Sequence, residues 1–355
     1  MSYRVGVSGL RRGLALARVF DSVPDCSVVA LCDISPTVLE RASGQFPHAA
    51  TFREYSDMLA HGLDVVVVAT PIPVHREQTV AALEAGCHVL QEVTLADSVE
   101  ACRDILGAVD AHPKQKFMLG ENCCYWAHIM SWAEMWRQGL LGEFIYGEAE
   151  YVHDIRALTR NPDGSPTWRA VRPPIVYCTH SLGPIVKITG EKPVTVSALH
   201  TANKMEPELP QFFDFEVAIV QTESHGVIKL LRGQGMMREP AFHYYSLYGT
   251  RGTLETSRPP QALQTNAYLD RVPHLHNMMA LPLNTDVPGA AREAALGGHG
   301  TAEYYMIRDF MEAVRNDTPP PIDVRMAWDL TVTGLCAHES ATNGGRPVRI
   351  PRWDE

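Results

Sequence analysis

Short apolar runs alternate with amphipathic segments through the first third of the chain, which is the pattern of strands alternating with helices. The run at 64–70 is apolar almost throughout, as expected for a strand that helices cover on both faces. The pattern predicts a doubly wound parallel sheet of about five or six strands within residues 1–121, the Rossmann type of α/β fold. The runs that predict these strands lie at 3–7, 27–32, 64–70, 88–90 and 116–120.

The pattern changes after a helix predicted at 126–139, because strand-like segments then follow one another without intervening helices. This order favours a mostly antiparallel sheet, and hence an α+β second domain over residues 122–355. The stretch 258–298 is rich in Pro and Gly and has weak periodicity, so we expect a long loop at the edge of a functional site. Helices are predicted at 303–314 and 326–341. The strands of the second domain are predicted at 143–153, 194–199, 213–221, 227–231 and 243–248.

Composition and charge exclude several classes of partner. The 355 residues favour two domains, and the formal net charge of −10 argues against nucleic acid and anionic membranes as partners. No segment approaches the roughly 18 uninterrupted apolar residues of a membrane span, and the first residues leave no room for a secretion signal. The eight cysteines include no C-x-x-C pair, so reduced thiols and no bound metal are predicted. We therefore expect a cytoplasmic protein.

A glycine-rich turn between the first strand and the first helix is the first candidate binding site. Gly6, Gly9 and Gly13 frame a segment where the backbone N–H groups of Leu10 and Arg11 would meet the pyrophosphate of a dinucleotide. Arg11 stands where the middle glycine of G-x-G-x-x-G is expected, so a plain tight turn is the alternative.

Asp33 strengthens the cofactor hypothesis. It lies 24 residues past Gly9 at the end of the second predicted strand, where a carboxylate can accept hydrogen bonds from both ribose hydroxyls of a dinucleotide. The same carboxylate would repel the 2′-phosphate of NADP, so NAD is favoured. The alternative is an aspartate that caps the next helix.

Two further segments have a distinctive sequence, Val68-Ala69-Thr70-Pro71-Ile72-Pro73-Val74-His75 and 81–92. They resemble the glucose–fructose oxidoreductase / inositol dehydrogenase / MocA family of sugar oxidoreductases, and the C-terminal segments 309–314, 320–323 and 345–348 also match that family. The resemblance implies a Rossmann domain that binds NAD, a sheet domain that presents a small sugar substrate, and a homo-oligomer formed through that sheet. It places Thr70, Pro71, His75 and Glu92 at the cofactor, with His75 shaping the loop rather than performing chemistry.

The chain departs from the family at Glu92-Val93-Thr94 and in the segment Ile175-Val176-Tyr177-Cys178-Thr179-His180. These two departures resemble one branch of the family, the NAD-dependent retaining glycosidases of glycoside hydrolase family 109, first known as α-N-acetylgalactosaminidases. Ordinary members carry Glu-Lys-Pro where this chain has Glu92-Val93-Thr94. This chain therefore lacks the lysine that is catalytic in those members. They also carry an aspartate shortly before a catalytic histidine, and no carboxylate precedes His180 at that spacing. Five motifs match the branch in order: 121–125, 151–156, 168–169, 177–184 and Gly298-His299-Gly300.

The resemblance to this branch implies the site residues. Those predicted to be catalytic are His180, Tyr151, Tyr177 and Glu121, and those predicted to bind the sugar are Arg169, Trp168, Arg172 and Asn122. Each of the four predicted catalytic residues has a structural alternative. His180 can be a core histidine beside a helix start, the two tyrosines can be aromatics that pack on the sheet, and Glu121 can cap the next helix.

Direct glycoside cleavage needs two carboxylates flanking the bond, and no such pair is evident in the sequence. The resemblance implies another route: transient oxidation at C3, elimination across C1 and C2, addition of water, and re-reduction by the same NAD. The alternatives are a sugar dehydrogenase or glycoside 3-oxidase that stops at the ketone, and a protein that only binds the cofactor. The segment 156–172 contains four arginines, Arg156, Arg160, Arg169 and Arg172. They suggest an anionic sugar glycoside as an alternative substrate to a hexosaminide. A solvated basic loop without a binding role is the structural alternative.

Overall fold

The computed structural model describes residues 2–282 and 287–355. The chain forms two compact units, the first from Met1–Tyr125 with Asp286–Trp328 and the second from Trp126–Thr285 with Asp329–Glu355. Each unit contains one sheet. None of the helices in the described ranges is long and apolar enough to cross a membrane.

Fifteen strands and nine α-helices make up the regular structure of the described residues. The strands are β1 (Tyr3–Ser8), β2 (Cys26–Cys32), β3 (Ala50–Phe52), β4 (Val65–Val68), β5 (His88–Gln91), β6 (Phe117–Leu119), β7 (Phe144–Val152), β8 (Pro193–His200), β9 (Phe215–Thr222), β10 (Val227–Gly233), β11 (Phe242–Gly249), β12 (Gly252–Thr256), β13 (Thr265–Leu269), β14 (Met279–Leu281) and β15 (Val348–Arg349). The helices are α1 (Leu10–Ser22), α2 (Pro36–Gln45), α3 (Tyr55–Leu59), α4 (His75–Glu84), α5 (Val99–Ala111), α6 (Ala127–Arg137), α7 (Thr179–Thr189), α8 (Ala302–Asn316) and α9 (Val324–Thr342).

The sheet of the first unit has six parallel strands in the order β3-β2-β1-β4-β5-β6. All four valines of β4 are fully buried, which explains why this strand has no polar alternation in the sequence. The strand order reverses between β1 and β4, and the ends of strands at such a point form the usual ligand crevice of doubly wound sheets. The predicted α/β class is confirmed.

The sheet of the second unit has nine strands in the order β14-β13-β12-β11-β7-β10-β9-β8-β15. Every pair is antiparallel except β10 with β7, so the prediction of a mostly antiparallel sheet is confirmed. Helices α6 and α7 pack against each other, and α7 also packs on β7. The first turn of α7 carries His180, so this packing fixes the histidine relative to the sheet.

Two expectations from the sequence differ from the structure. The sequence assigned everything after residue 121 to the second domain, whereas residues 286–328 belong to the first unit. The reason is packing: α8 buries Met306, Ile307 and Phe310, and it contacts α1 of the parallel sheet. The predicted long loop at 258–298 contains β13 and β14, and the part of that loop at 283–286 lies outside the described residues.

Candidate active site

The glycine turn of the first unit is a tight connection between β1 and α1. Gly9 is the residue before α1 and has a φ of +85°, the left-handed region that favours glycine. A Cβ at this position would lie 2.5 Å from the carbonyl carbon of Ala69. The Gly9 N–H donates to the carbonyl of Cys32 at 2.9 Å. The turn is therefore held against the carboxyl ends of two neighbouring strands, and no larger residue fits there.

Asp33 connects this turn to the second strand. The Leu10 N–H donates to Asp33 Oδ2 at 2.9 Å, and the Ser35 N–H donates to Oδ1 at 2.9 Å. The Leu10 N–H, which the sequence predicted to meet the pyrophosphate, is therefore already bonded to Asp33. The N–H groups of Arg11 and Arg12 in the first turn of α1 have no acceptor within the helix. Ile34, directly after Asp33, is 82% exposed. A half-buried carboxylate, two outward N–H groups and an exposed apolar side chain fit the ribose, pyrophosphate and adenine of a dinucleotide.

His75 holds two loops of the first unit together. Its ring is fully buried, with Nε2 2.8 Å from the carbonyl oxygen of Thr70 and Nδ1 2.8 Å from that of Thr94. Burial lowers the pKa of His75. The Thr70 hydroxyl donates to Gln78 Oε1 at 3.1 Å, and the side chain of Pro71 is exposed. This arrangement agrees with the expectation that His75 shapes the loop rather than transfers protons.

Glu92 belongs to an ion-pair network beside the same turn. Arg12, in the first turn of α1, donates to Glu92 Oε1 at 2.8 Å and to Glu303 Oε1 at 2.8 Å. His299 of the Gly-His-Gly motif lies 2.5 Å from Glu303 Oε1. Burial alone would raise the pKa of Glu303, but the hydrogen bonds and charges of His299 and Arg12 lower it to about 2. The network fixes the start of α1. Nothing in the sequence pattern indicates that the motif at 298–300 belongs to this network.

Glu121 and Asn122 follow β6 directly. Both are buried, and the short 3-10 helix Asn122–Tyr125 begins there. Glu121 Oε1 accepts a hydrogen bond from the Cys123 N–H at 3.2 Å. Glu121 therefore caps the following helix, which was the alternative to a catalytic role. A role in catalysis stays a prediction.

The second unit brings together two tyrosines and two histidines. The Tyr151 ring on β7 stacks on that of His243 on β11, with centroids 4.1 Å apart. The His180 ring lies 5.6 Å from Tyr151, 5.1 Å from Tyr177 and 6.1 Å from His243. We call these four side chains the tyrosine–histidine cluster. Three of them were predicted from the sequence, and His243 was missed because it lies in no quoted motif.

Neighbouring groups orient the tyrosine–histidine cluster. The Tyr151 hydroxyl oxygen lies 2.8 Å from His153 Nδ1. Burial, followed by the charge of Arg232, lowers the pKa of His153, so its ring is neutral at pH 7 and can accept this hydrogen bond. The Tyr245 hydroxyl donates to the backbone carbonyl of His180 at 2.5 Å. The contacts hold a phenol and an imidazole side by side, as proton transfer to and from a substrate requires.

The predicted sugar-binding loop carries Trp168, Arg169 and Arg172. A core of Ile155, Ala170, Leu209 and Phe212 anchors it. The Arg169 guanidinium lies 4.3 Å from the centroid of Trp168.

The four arginines of the loop divide into two groups. Arg156 pairs with Asp154 at 2.6 Å and Arg160 with Glu208 at 2.8 Å, so these two serve the loop itself. Arg172 is buried and packs 4.4 Å from the centroid of Tyr177. Arg156 and Arg160 are therefore occupied by carboxylates of the protein, and they are not candidates to bind a ligand.

Arg232 on β10 is a further buried arginine that the sequence reasoning missed. Its guanidinium lies 4.0 Å from the centroid of Tyr151, and Nη1 donates to the Tyr151 carbonyl at 3.2 Å. A signal was available: residues 228, 230 and 232 share one face of the strand, and the first two are a buried isoleucine and a buried leucine. An arginine on a core-facing position is unusual enough to mark a site.

Comparison with known proteins gives a family match over the first third of the chain. Residues 3–120 match the family described as oxidoreductase family, NAD-binding Rossmann fold. The predicted Rossmann domain and its NAD-binding character are thus confirmed, and the chain has the fold of an NAD-dependent enzyme.

Similarity extends along nearly the whole chain. A glycosyl hydrolase family 109 protein of Solibacter usitatus is 28% identical over 98% of this chain and 87% of its own length. An α-N-acetylgalactosaminidase of Tannerella forsythia is 27% identical over 91% of this chain and 80% of its own length. Levoglucosan dehydrogenase, solved with NADH and levoglucosan, superposes with a TM-score of 0.85 at 16% identity, covering 99% of this chain and all of that one. The structural likeness shows a shared fold.

Proposed function

We propose that this protein is an NAD-dependent glycosidase that oxidises a sugar glycoside transiently at C3 and cleaves it by elimination. The observation that carries the proposal is the tyrosine–histidine cluster of the second unit, in which His180 lies next to Tyr151 and Tyr177. These are proton-transfer groups, whereas direct hydrolysis relies on a carboxylate pair. The names of the glycosidase relatives support the same class of reaction.

The cofactor-binding residues in this proposal all lie in the first unit. The N–H groups of Arg11 and Arg12 would face the pyrophosphate, Asp33 the adenosine ribose and Ile34 the adenine. When bound, NAD⁺ supplies a hydride acceptor for C3 and later returns the hydride, so no cofactor is consumed.

The remaining chemistry falls to side chains of the second unit. His180 takes the proton of the C3 hydroxyl. A carbonyl at C3 makes the C2 hydrogen acidic, and Tyr151 or Tyr177 removes it while the C1 substituent leaves. Water then adds at C1 and a proton returns to C2, which gives the 3-keto form of the free sugar. Return of the hydride to C3, with His180 giving its proton back to the C3 oxygen, restores the sugar. Arg169 holds the sugar during these steps.

The experiment that tests the proposal is a turnover count on a panel of nitrophenyl glycosides with trace NAD⁺. Release of many nitrophenol molecules per NAD⁺ supports the glycosidase. NADH formed in equal amount to substrate, with no nitrophenol, supports a dehydrogenase or 3-oxidase. Neither product, with NAD still bound, supports a protein that only binds the cofactor.

We also propose that the sheet of the second unit joins copies of the chain into a homo-oligomer. Its open face carries exposed apolar side chains at paired positions, since Leu199 lies opposite Val217 on the neighbouring strand. Ile219, Tyr248 and Tyr268 are also exposed. Sedimentation velocity should give an oligomer for the native protein and a smaller species for Val217→Lys with Ile219→Lys. A native monomer at micromolar concentration would contradict this arrangement.

A further inference from the structure

Two buried arginines of the second unit have guanidinium groups that are not fully hydrogen-bonded. Arg172 is 7% exposed and Arg232 is 1% exposed. Among the described residues, Arg172 Nε and Nη1 and Arg232 Nε are buried without a hydrogen-bond partner. Their other hydrogen bonds are to neutral oxygens: Arg172 Nη2 donates to Gln234 Oε1 at 3.4 Å, and Arg232 Nη1 donates to the Tyr151 carbonyl at 3.2 Å and to the Gly233 carbonyl. Native proteins rarely leave such groups unsatisfied, so each one requires an explanation.

The two positive charges also lack a counter-ion. Within the part of the chain that the structure describes, no carboxylate forms an ion pair with Arg172 or Arg232, whereas Arg156 and Arg160 of the same loop each have one. Burial, followed by the charge of Arg232, lowers the pKa of Arg172 to about 9. Burial also lowers the pKa of Arg232. Two like charges that are buried near each other without a partner destabilise the fold, so a purely structural role does not account for them.

Both arginines border the tyrosine–histidine cluster. Arg172 packs 4.4 Å from the centroid of Tyr177, and Arg232 packs 4.0 Å from that of Tyr151. Each of these tyrosines contacts His180. Stacking on an aromatic face compensates a buried cation only in part and satisfies none of the N–H groups in the ring plane. The unsatisfied donors therefore lie next to the residues that would handle the sugar.

We propose that Arg172 and Arg232 form a subsite for an anionic oxygen group, a carboxylate or a sulfonate, carried by the sugar of the glycoside. The fork of a guanidinium matches two oxygens of such a group, and a bound anion would supply both the missing acceptors and the missing negative charge. The substrate is then the glycoside of an acidic sugar rather than of a neutral N-acetylhexosamine. This assignment rests on the proposed glycosidase function for the identity of the substrate as a glycoside.

The test measures binding rather than turnover, so that it can fail or succeed independently of the glycosidase proposal. Calorimetric titration of the NAD-loaded protein would use methyl glucuronides, methyl galacturonides and a methyl 6-sulfo-6-deoxyglucoside, with methyl glucoside and methyl galactoside as their neutral counterparts. At least one acidic glycoside should bind about tenfold to hundredfold tighter than its neutral counterpart. Preference among the acidic ligands distinguishes carboxylate from sulfonate. Equal binding of acidic and neutral glycosides overturns the subsite.

Substitution then assigns the preference to the two residues. Arg172→Gln and Arg232→Gln should each remove the preference for the acidic glycoside while retaining NAD binding. Arg160→Gln is the matched control, because Arg160 lies in the same loop but pairs with Glu208, and it should leave the preference intact. The melting temperature of the ligand-free protein gives a second reading. Removing an unpaired buried charge should leave it unchanged or raise it, and a large fall in both variants with the preference intact shows a structural role instead.

Discussion

Substitution of Glu303 gives the most direct measure of how the cofactor turn is held in place. The carboxylate is fully buried and contacts the guanidinium of Arg12 and the ring of His299. In Glu303→Gln the amide keeps roughly the same shape but loses the charge that both partners require. Arg12 sits in the first turn of α1, so the loss acts on the start of the helix that follows Gly9.

The expected magnitude follows from the pKa. A lowering of the pKa of Glu303 from 4.5 to about 2 corresponds to about 3 kcal/mol of stability, at about 1.36 kcal/mol per pH unit. This agrees with the roughly 3–5 kcal/mol lost when one partner of a buried pair is removed. Because the pKa is lower in the folded state than in the unfolded state, the contribution is complete above pH 4.5. It is lost as the pH falls from there through about 2.

Urea unfolding followed by circular dichroism between pH 3 and pH 7 would test this, with hydrogen exchange in α1 assigning the loss to the first unit. Glu303→Gln should be less stable than the native protein by about 3 kcal/mol at pH 7, and the difference should shrink toward pH 3. Glu312→Gln on the same helix is the control, because Glu312 is exposed and its contact with Arg308 is 3.7 Å. Equal stability of the two variants at pH 7, with equal dependence on pH, would refute the reasoning.

Three further predictions concern the cofactor and the reaction. Asp33→Ala should weaken NAD binding by up to about 3 kcal/mol in a fluorescence titration, because the ribose contacts are lost and the turn is held less firmly. Equal affinity of the native protein for NADP and NAD would contradict the role of the carboxylate. His180→Ala should slow nitrophenol release by about 10²–10⁴-fold and suppress transient NADH absorbance while NAD binding persists, and wild-type turnover would remove His180 from the mechanism. Product formed in heavy water should carry deuterium at C2 by mass spectrometry, whereas full retention of the C2 hydrogen would argue against elimination.

The fold could be predicted from the sequence wherever the local pattern of apolar and polar residues was strong. Strands such as β4 are apolar on both faces, and that composition identifies a parallel sheet without any knowledge of its partners. β14 and β15 have only three and two residues, too few for an alternation to be visible. The membership of α8 in the first unit was not predictable, because an amphipathic helix shows that it has a buried face but not which surface covers it.

For the candidate site too, residues in local motifs could be predicted, whereas contacts between residues far apart in the chain could not. Asp33 and His180 lie in local motifs, so the sequence alone was enough to propose them as site residues. The motif at 298–300 was also found, but its contact with the cofactor turn depends on Glu303 and Arg12, which are far apart in the chain. The four arginines of the loop could not be sorted from the sequence, because pairing with Glu208 or Asp154 is a matter of three-dimensional position.

The discontinuous path of the chain through its first unit has a consequence for synthesis on the ribosome. Residues up to Tyr125 emerge first, but α8 emerges about 180 residues later, which at typical elongation rates is a delay of about 10 to 40 s. During that interval the six parallel strands can pair, yet Arg12 lacks Glu303 and the surface of α1 that α8 covers is open to water. A nascent chain halted between residues 126 and 285 is therefore expected to be recognised by chaperones and proteases as unfinished, even though the entire parallel sheet has already been made.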